Sequence, residues 1–502
     1  MEAVREPIGW VIDNSAHDRF SFVVIEGRHV EFGNYYIIKH PSKGVDVLTR
    51  VVRINYTNPE MDLRRYGPRY AKKGIRLPAS DQEIMVAEAE PLGYHDGEKF
   101  RPLEVPPSTW TPVYEAKEED LKKFIEPSEE GYYLRIGKLR NLNVPISLDV
   151  NGLVKGHCFV CGMTRSGKST FLLSVAAIGK NELDPPLHMM IFDRRGEYVP
   201  LVEKFGGKRF SYRDFAKPFK DANPDDIASM LKVSGKLREL VSSAVATMQE
   251  AIKKGELTEL TKETFLKYVF DEIEKKGAAS QKSRYKSIVK DNVEKCWPEI
   301  EALPNESKNP VEVAKENELS VIDFSVDTDI SRQQIIVRDI IHALLKEAME
   351  NDDFGVIVAI EEVQYFAPEG QMVKYGENWK ESHDAIVEAI SQGGGYNLGF
   401  IIVTQRPAYV SKSVISQCNS VICFRLMSGN DQDAIINYTE YGSRALRQYL
   451  AGLADHEAFI CGIALPCRFP VIVETTVKDY PRKSTKNAKQ TFMSMKSKRL
   501  ST

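Results

Sequence analysis

A chain of 502 residues, 42% apolar and 28% charged, carries material for two to four cored domains and lacks the composition of a disordered polymer. Its longest apolar run, around Val356 to Ile360, is strand-sized against the ~20 residues of a spanning helix, and residues 1–10 hold no apolar secretion signal. A net charge of −3 excludes a globally basic nucleic-acid binder but not one whose basic residues line a channel.

Residues 1–115 read as short strands near 20–25, 35–38, 45–54 and 83–89, punctuated by Gly, Pro and Asn, and predict a small β-barrel. Within them, residues 64–73 interleave basic and aromatic side chains, which suits either a nucleic-acid loop or a solvated one. A connecting helix is expected over 117–124. From about residue 130 strands alternate with helices, the α/β pattern, which assigns 116–214 to the first part of a core domain. Asn223-Pro224-Asp225-Asp226 is a helix start, and Leu237, Leu240, Val241, Ala244 and Met248 then recur at helical spacing. Residues 215–318 are therefore expected to form an inserted helical bundle. Strand-helix alternation resumes over 319–478 and closes in a hairpin near Pro466. The last segment, 479–502, reads as a solvated tail, with seven Lys or Arg and no acid between Arg482 and Arg499. The seven cysteines are odd in number and without framework spacing, so reduced thiols are expected. Cys158 and Cys161 form a CxxC inside an apolar stretch and are read as buried strand residues.

Gly162-Met163-Thr164-Arg165-Ser166-Gly167-Lys168-Ser169-Thr170 matches GxxxxGK[ST], with a strand-like run before it and an apolar helix after it. Gly162 and Gly167 let backbone N–H groups curl round phosphate oxygens, and the loop from Thr164 through Arg165 and Ser166 to Thr170 supplies those groups. Lys168 is expected to bring charge to the β- and γ-phosphates of ATP, and Ser169 a hydroxyl to Mg²⁺. Farther on, five apolar residues end in Glu361-Glu362. Alternating side-chain directions suit Glu361 for the metal and Glu362 for the attacking water. The strand 400–403 ends in Thr404-Gln405-Arg406-Pro407, which places the Gln405 amide near a γ-phosphate. Lys168 and Glu362 lie 194 residues apart, a spacing that becomes ordinary once the helical segment is set aside. The fold class expected is α/β: a RecA-like P-loop core with an inserted helical bundle and an N-terminal small β-barrel.

Together with Asp193-Arg194-Arg195-Gly196-Glu197-Tyr198, these motifs resemble the HerA–FtsK family of ring-forming DNA pumps over nearly the whole chain, and within it the HerA branch of archaeal hexameric helicases. The resemblance implies DNA as a partner, a homo-hexamer, a NurA-type nuclease, DNA-end resection and a cytoplasmic, nucleoid-associated site without membrane. Two departures stand out. The acidic pair opens with Glu361 where relatives carry Asp, and Gly394 occupies the place of an arginine that acts on a neighbour's ATP. Arg140, Arg406 and Arg425 are then the candidates for that trans role, each equally suited to a structural ion pair. Lys374 and Lys380, with Tyr375 and Trp379 beside them, are expected on a loop that either grips DNA or lies free.

Overall fold

The computed structural model describes residues 5–12, 15–58, 83–97, 99–127, 131–370, 375–438, 446–467, 469–476 and 488–499. Near the N-terminus lie β1 (Gly9–Val11), β2 (Phe20–Val24), β3 (Tyr35–Lys39), β4 (Asp46–Thr57), β5 (Ile84–His95), β6 (Phe100–Arg101) and β7 (Pro112–Glu115). Alternation decides their packing: Phe20, Phe22 and Val24 point inward along β2 while the residues between them are half-buried. The strands run β2-β1-β7-β3-β4-β5 and close where β5 pairs back with β2, leaving β6 as an addition to β5. This is the expected barrel. Arg50 ties it to the rest of the chain, pairing with Glu90 and donating to the Pro470 carbonyl at 2.8 Å.

The second sheet comprises β8 (Tyr133–Leu139), β9 (Pro145–Asp149), β10 (Cys158–Cys161), β11 (Met189–Asp193), β12 (Lys208–Ser211), β13 (Leu319–Asp323), β14 (Val356–Glu361), β15 (Leu398–Thr404), β16 (Ser420–Phe424), β17 (Glu457–Gly462) and β18 (Val471–Thr475). Its order is β12-β13-β11-β14-β15-β10-β16-β17-β18-β8-β9. The strands from β12 to β16 in that order are parallel, and the remainder are antiparallel. Every residue of β10, β11, β13, β14 and β15 is buried, as helices on both faces of a parallel sheet require. The register aligns Cys161 with Thr404 and Glu361 with Val403, so the carboxyl ends of three adjacent strands meet at one edge. That edge is where open α/β sheets receive ligands.

Four helices, Pro224–Met230, Gly235–Lys253, Lys262–Lys276 and Lys282–Glu301, leave and return between β12 and β13. Asn223 caps the first, accepting the Asp225 N–H, with Pro224 at the opening position. They build a core of their own around Val241, Met248, Phe265, Val293 and Trp297. At the root of this segment the Lys308 N–H donates to the Asp214 carbonyl at 2.8 Å.

All seven cysteines are buried and none forms a disulfide, including Cys158 and Cys161 on β10. Among the described residues no helix is long and apolar enough to cross a membrane. At the C-terminus Ala488–Arg499 is a helix, with Phe492 and Met493 exposed on it. Helix formers such as Ala488, Lys489, Gln490 and Met493 dominate it, without Gly or Pro to break it. Residues 482–487 lie outside the described residues.

Candidate nucleotide site

The P-loop leaves the end of β10 and enters the helix Lys168–Asn181. Gly162 and Gly167 hold φ of +150° and +126°. A Cβ on Gly162 would meet Phe424 Cβ at 2.6 Å, and one on Gly167 would meet Phe424 Cε1 at 2.9 Å, so close approach as well as conformation demands glycine. Arg165 is also left-handed, at φ +66°. Ser166 turns its hydroxyl inward to the Met163 carbonyl at 2.8 Å, and its backbone N–H donates to the same carbonyl at 3.3 Å. Thr170 is buried in the first helical turn, and Ser169 opens onto a recess shared with Lys168, Glu361, Glu362 and Gln405. The Lys168 ammonium donates to the Gly162 and Met163 carbonyls, at 2.7 and 2.9 Å. Burial lowers its pKa, against the pull of Glu362 and Glu361. A phosphate would thus relieve an ammonium held only by carbonyl oxygens.

Two acidic residues follow one another but meet different surroundings. Glu361, the last residue of β14, is buried and accepts from the Tyr198 hydroxyl. Burial pushes its pKa up to about 8, helped by Asp193, Glu197 and Glu362 and opposed by Tyr198. Glu362 turns to φ +50°, a left-handed conformation that costs a non-glycine residue about 1–3 kcal/mol. Its carboxylate accepts from Gln364 Nε2 at 2.7 Å, from Gln405 Nε2, and from Arg195 at 2.8 Å.

Gln405 joins the two halves of the site. While its amide nitrogen donates to Glu362, its carbonyl oxygen accepts the Thr164 hydroxyl at 2.6 Å. Thr404, fully buried, donates to Gln364 at 2.8 Å and accepts the Arg406 N–H at 3.0 Å. The Glu362 carboxylate is therefore connected to the P-loop through one amide.

Asp193, at the end of β11, organises a loop that the sequence offered only as a motif. Its Oδ1 accepts the N–H groups of Arg195, Gly196 and Glu197, and its Oδ2 that of Tyr198. Burial raises its pKa to about 6 against the bonds from Tyr198, Glu197 and Arg195. With both oxygens engaged, Asp193 shapes the loop that brings Tyr198 to Glu361 and Arg195 to Glu362. Neither contact leaves a periodic trace in the sequence.

A model of the family described as "Helicase HerA, central domain" matches residues 134–344. The DNA double-strand break repair helicase HerA of Pyrococcus furiosus is 24% identical, over 94% of this chain and 92% of its own. The protein of that name from Saccharolobus solfataricus is 23% identical over 93% and 91% respectively. The chain carries the HerA central domain and is similar to HerA helicases over more than nine-tenths of its length. Like the helicases of that family, it is an ATP hydrolase built on a P-loop. Among solved structures, VirB4 of Thermoanaerobacter pseudethanolicus shares the fold, with a TM-score of 0.50 and 13% identity over 70% of this chain and 98% of that one.

Against the HerA resemblance, Gly394 proves unable to carry any side chain, because a Cβ there would meet the Lys155 carbonyl oxygen at 2.2 Å. The three arginines considered in its place are held within their own chain. Arg406 pairs with Asp431 at 3.2 Å and lies over Tyr409, Arg425 pairs with Asp455 at 2.7 Å beside Met163 of its own P-loop, and Arg140 stands 4.0 Å from Glu457. Lys374 and the segment 64–73 fall outside the described residues. Tyr375 packs on Tyr365, with centroids 4.3 Å apart, and Trp379 opens the helix Trp379–Gly393, so residue 379 onward is not a loop. Lys380 stays exposed on that helix.

Proposed function

We propose that this chain is an ATP-driven DNA translocase or helicase that closes into a homo-hexameric ring and serves a NurA-type nuclease at broken DNA ends. The reading rests chiefly on Gln405, which touches both Thr164 of the P-loop and the water-orienting Glu362, a linkage suited to coupling nucleotide state to movement. The names of the relatives, DNA double-strand break repair helicases, favour DNA as the track. Head-to-tail contacts that close give a ring, and a moving motor must hold its track while one site resets. The cytoplasm, near the nucleoid, is the corresponding location.

Within the site, Gly162 to Thr170 cradle the phosphates, Lys168 neutralises them and Glu362 polarises the attacking water. Mg²⁺ suits the hard oxygen donors Ser169 and Glu361, which line one recess, and it would neutralise charge on the phosphates. Arg406 or Arg425 would act on a neighbour's nucleotide only after leaving its present carboxylate. The experiment is ATP hydrolysis with and without duplex DNA, in the parent and in Lys168→Ala. DNA-stimulated turnover in the parent, falling ~10²–10³-fold in the variant, is expected for the loss of one electrostatic contact to the transition state. Turnover indifferent to DNA, or unchanged in a folded Lys168→Ala, would sink the reading.

A further inference from the structure

Two adjacent arginines follow Asp193, and the fold treats them differently. Arg194 is fixed: its guanidinium lies 4.0 Å over the Tyr365 ring and donates to Gln333 Oε1. Arg195 is anchored through its backbone, to Asp193 Oδ1 at 3.1 Å. Its side chain remains 46% exposed while reaching a Glu362 side chain that is 9% exposed, with the ion pair at 2.8 Å. A second carboxylate, Glu197, lies 3.8 Å away on the same loop. Arg195 also lines the recess that holds Lys168 and Ser169, where a γ-phosphate seated on the P-loop would enter.

We infer that Arg195 is an exchanging γ-phosphate ligand of its own subunit: it holds Glu362 while the site is free of nucleotide and transfers to the γ-phosphate when ATP binds. This rests on the nucleotide reading of the site. Three arguments carry it. The exposed partner of an ion pair is the one free to move, and here that is the arginine. Glu362 keeps two amide donors, from Gln364 and Gln405, after the guanidinium departs, so its negative charge is not stranded. A terminal phosphate offers more acceptor oxygens and more charge than a carboxylate, in the planar geometry a guanidinium matches. The transfer has a chemical consequence as well. The Glu362 oxygen that Arg195 occupies is thereby opened to a water only when the γ-phosphate is present. Arg195 would supply positive charge to the recess from within the subunit.

The test is calorimetric binding of Mg·ADP and of a non-hydrolysable Mg·ATP analogue to the parent, Arg195→Ala, Arg195→Lys and the double variant Arg195→Ala/Glu362→Gln. Expected is an analogue affinity roughly tenfold or more weaker in Arg195→Ala, the scale of one charge-assisted hydrogen bond, with ADP affinity kept and partial recovery in Arg195→Lys. The double variant should still lack the preference for the analogue over ADP, since the missing phosphate contact is not restored by neutralising Glu362. If instead the double variant regains the parent's preference, Arg195 merely neutralises Glu362 in place, and the exchange is wrong. Parent-like affinities for both nucleotides in Arg195→Ala would also overturn it while leaving the site standing. A parent that binds neither nucleotide would overturn the site itself.

Discussion

Along the carboxyl edge of the parallel strands, Lys168, Asp193, Glu361 and Glu362 are all buried within one neighbourhood. The helices between residues 224 and 301 bury Val241, Met248, Phe265, Val293 and Trp297, and most of their charges lie at the surface. Removing a charge from water costs several kcal/mol even after relaxation, whereas burying an apolar side chain gains about 1.5–3 kcal/mol. The sheet edge has thus given up stability to hold its groups, and the helical segment supplies stability without chemistry. Substitutions in the two regions should part company, activity falling in one and stability in the other.

The largest separation is expected from Glu362→Gln, which keeps shape and hydrogen bonding but cannot accept a proton. Single-turnover ATP hydrolysis should slow by ~10²–10⁴-fold with thermal stability held or raised. A large fall in melting temperature with hydrolysis intact would reverse the contrast. Next comes Phe265→Ala, inside the helical core, which should cost ~3–5 kcal/mol in chemical denaturation while turnover per folded molecule stays at the parent's level. Lost turnover in the folded fraction would mean that the helices participate in the chemistry.

Glu361 sharpens the comparison through pH. Its carboxyl, pushed up to about 8 by burial, is largely protonated at pH 7 when no cation is present. Mg²⁺ requires the ionised form, so binding releases a proton, and the Mg²⁺ requirement for hydrolysis should rise as pH falls below about 8. The slope should approach about tenfold per pH unit and vanish in Glu361→Gln. A requirement independent of pH between 6 and 8 would show that Glu361 does not meet the metal. The smallest effect belongs to Lys374→Ala with Lys380→Ala. If these lysines engage duplex phosphates, the log–log salt slope of DNA binding should flatten by about 0.9 for each phosphate released, with basal hydrolysis preserved. An unchanged slope would place the track elsewhere.

The P-loop could be read directly because its chemistry is local: glycine spacing, a lysine and a hydroxyl occupy nine consecutive positions. The barrel and the buried strands were legible for a related reason, since alternation and apolar runs report burial residue by residue. What escaped depends on how distant strands are brought together. Nothing near Tyr198 indicates Glu361, because β11 and β14 become neighbours only in the sheet. Arg195 likewise reads as one more surface arginine until Asp193 folds the loop beneath it. Tyr375 and Trp379 looked available because aromatic residues among lysines suggest a contact surface, yet Tyr365 and a helix start account for them. Strands β8 and β9 precede the P-loop in sequence but sit at the far margin of the sheet, a crossover that no local pattern encodes.

The hydrogen bond between Lys308 and Asp214 gives the helical segment the character of an exchangeable cartridge. Its entry and exit lie side by side, so the motor domain registers only a closed gap, whatever the length of chain in between. Loop-closure entropy grows slowly with length, about 0.6 kcal/mol per doubling, so lengthening, shortening or replacing this segment can leave the nucleotide edge undisturbed. Such a junction lets the outer surface of the motor diversify while the catalytic register of β11, β14 and β15 is inherited unchanged.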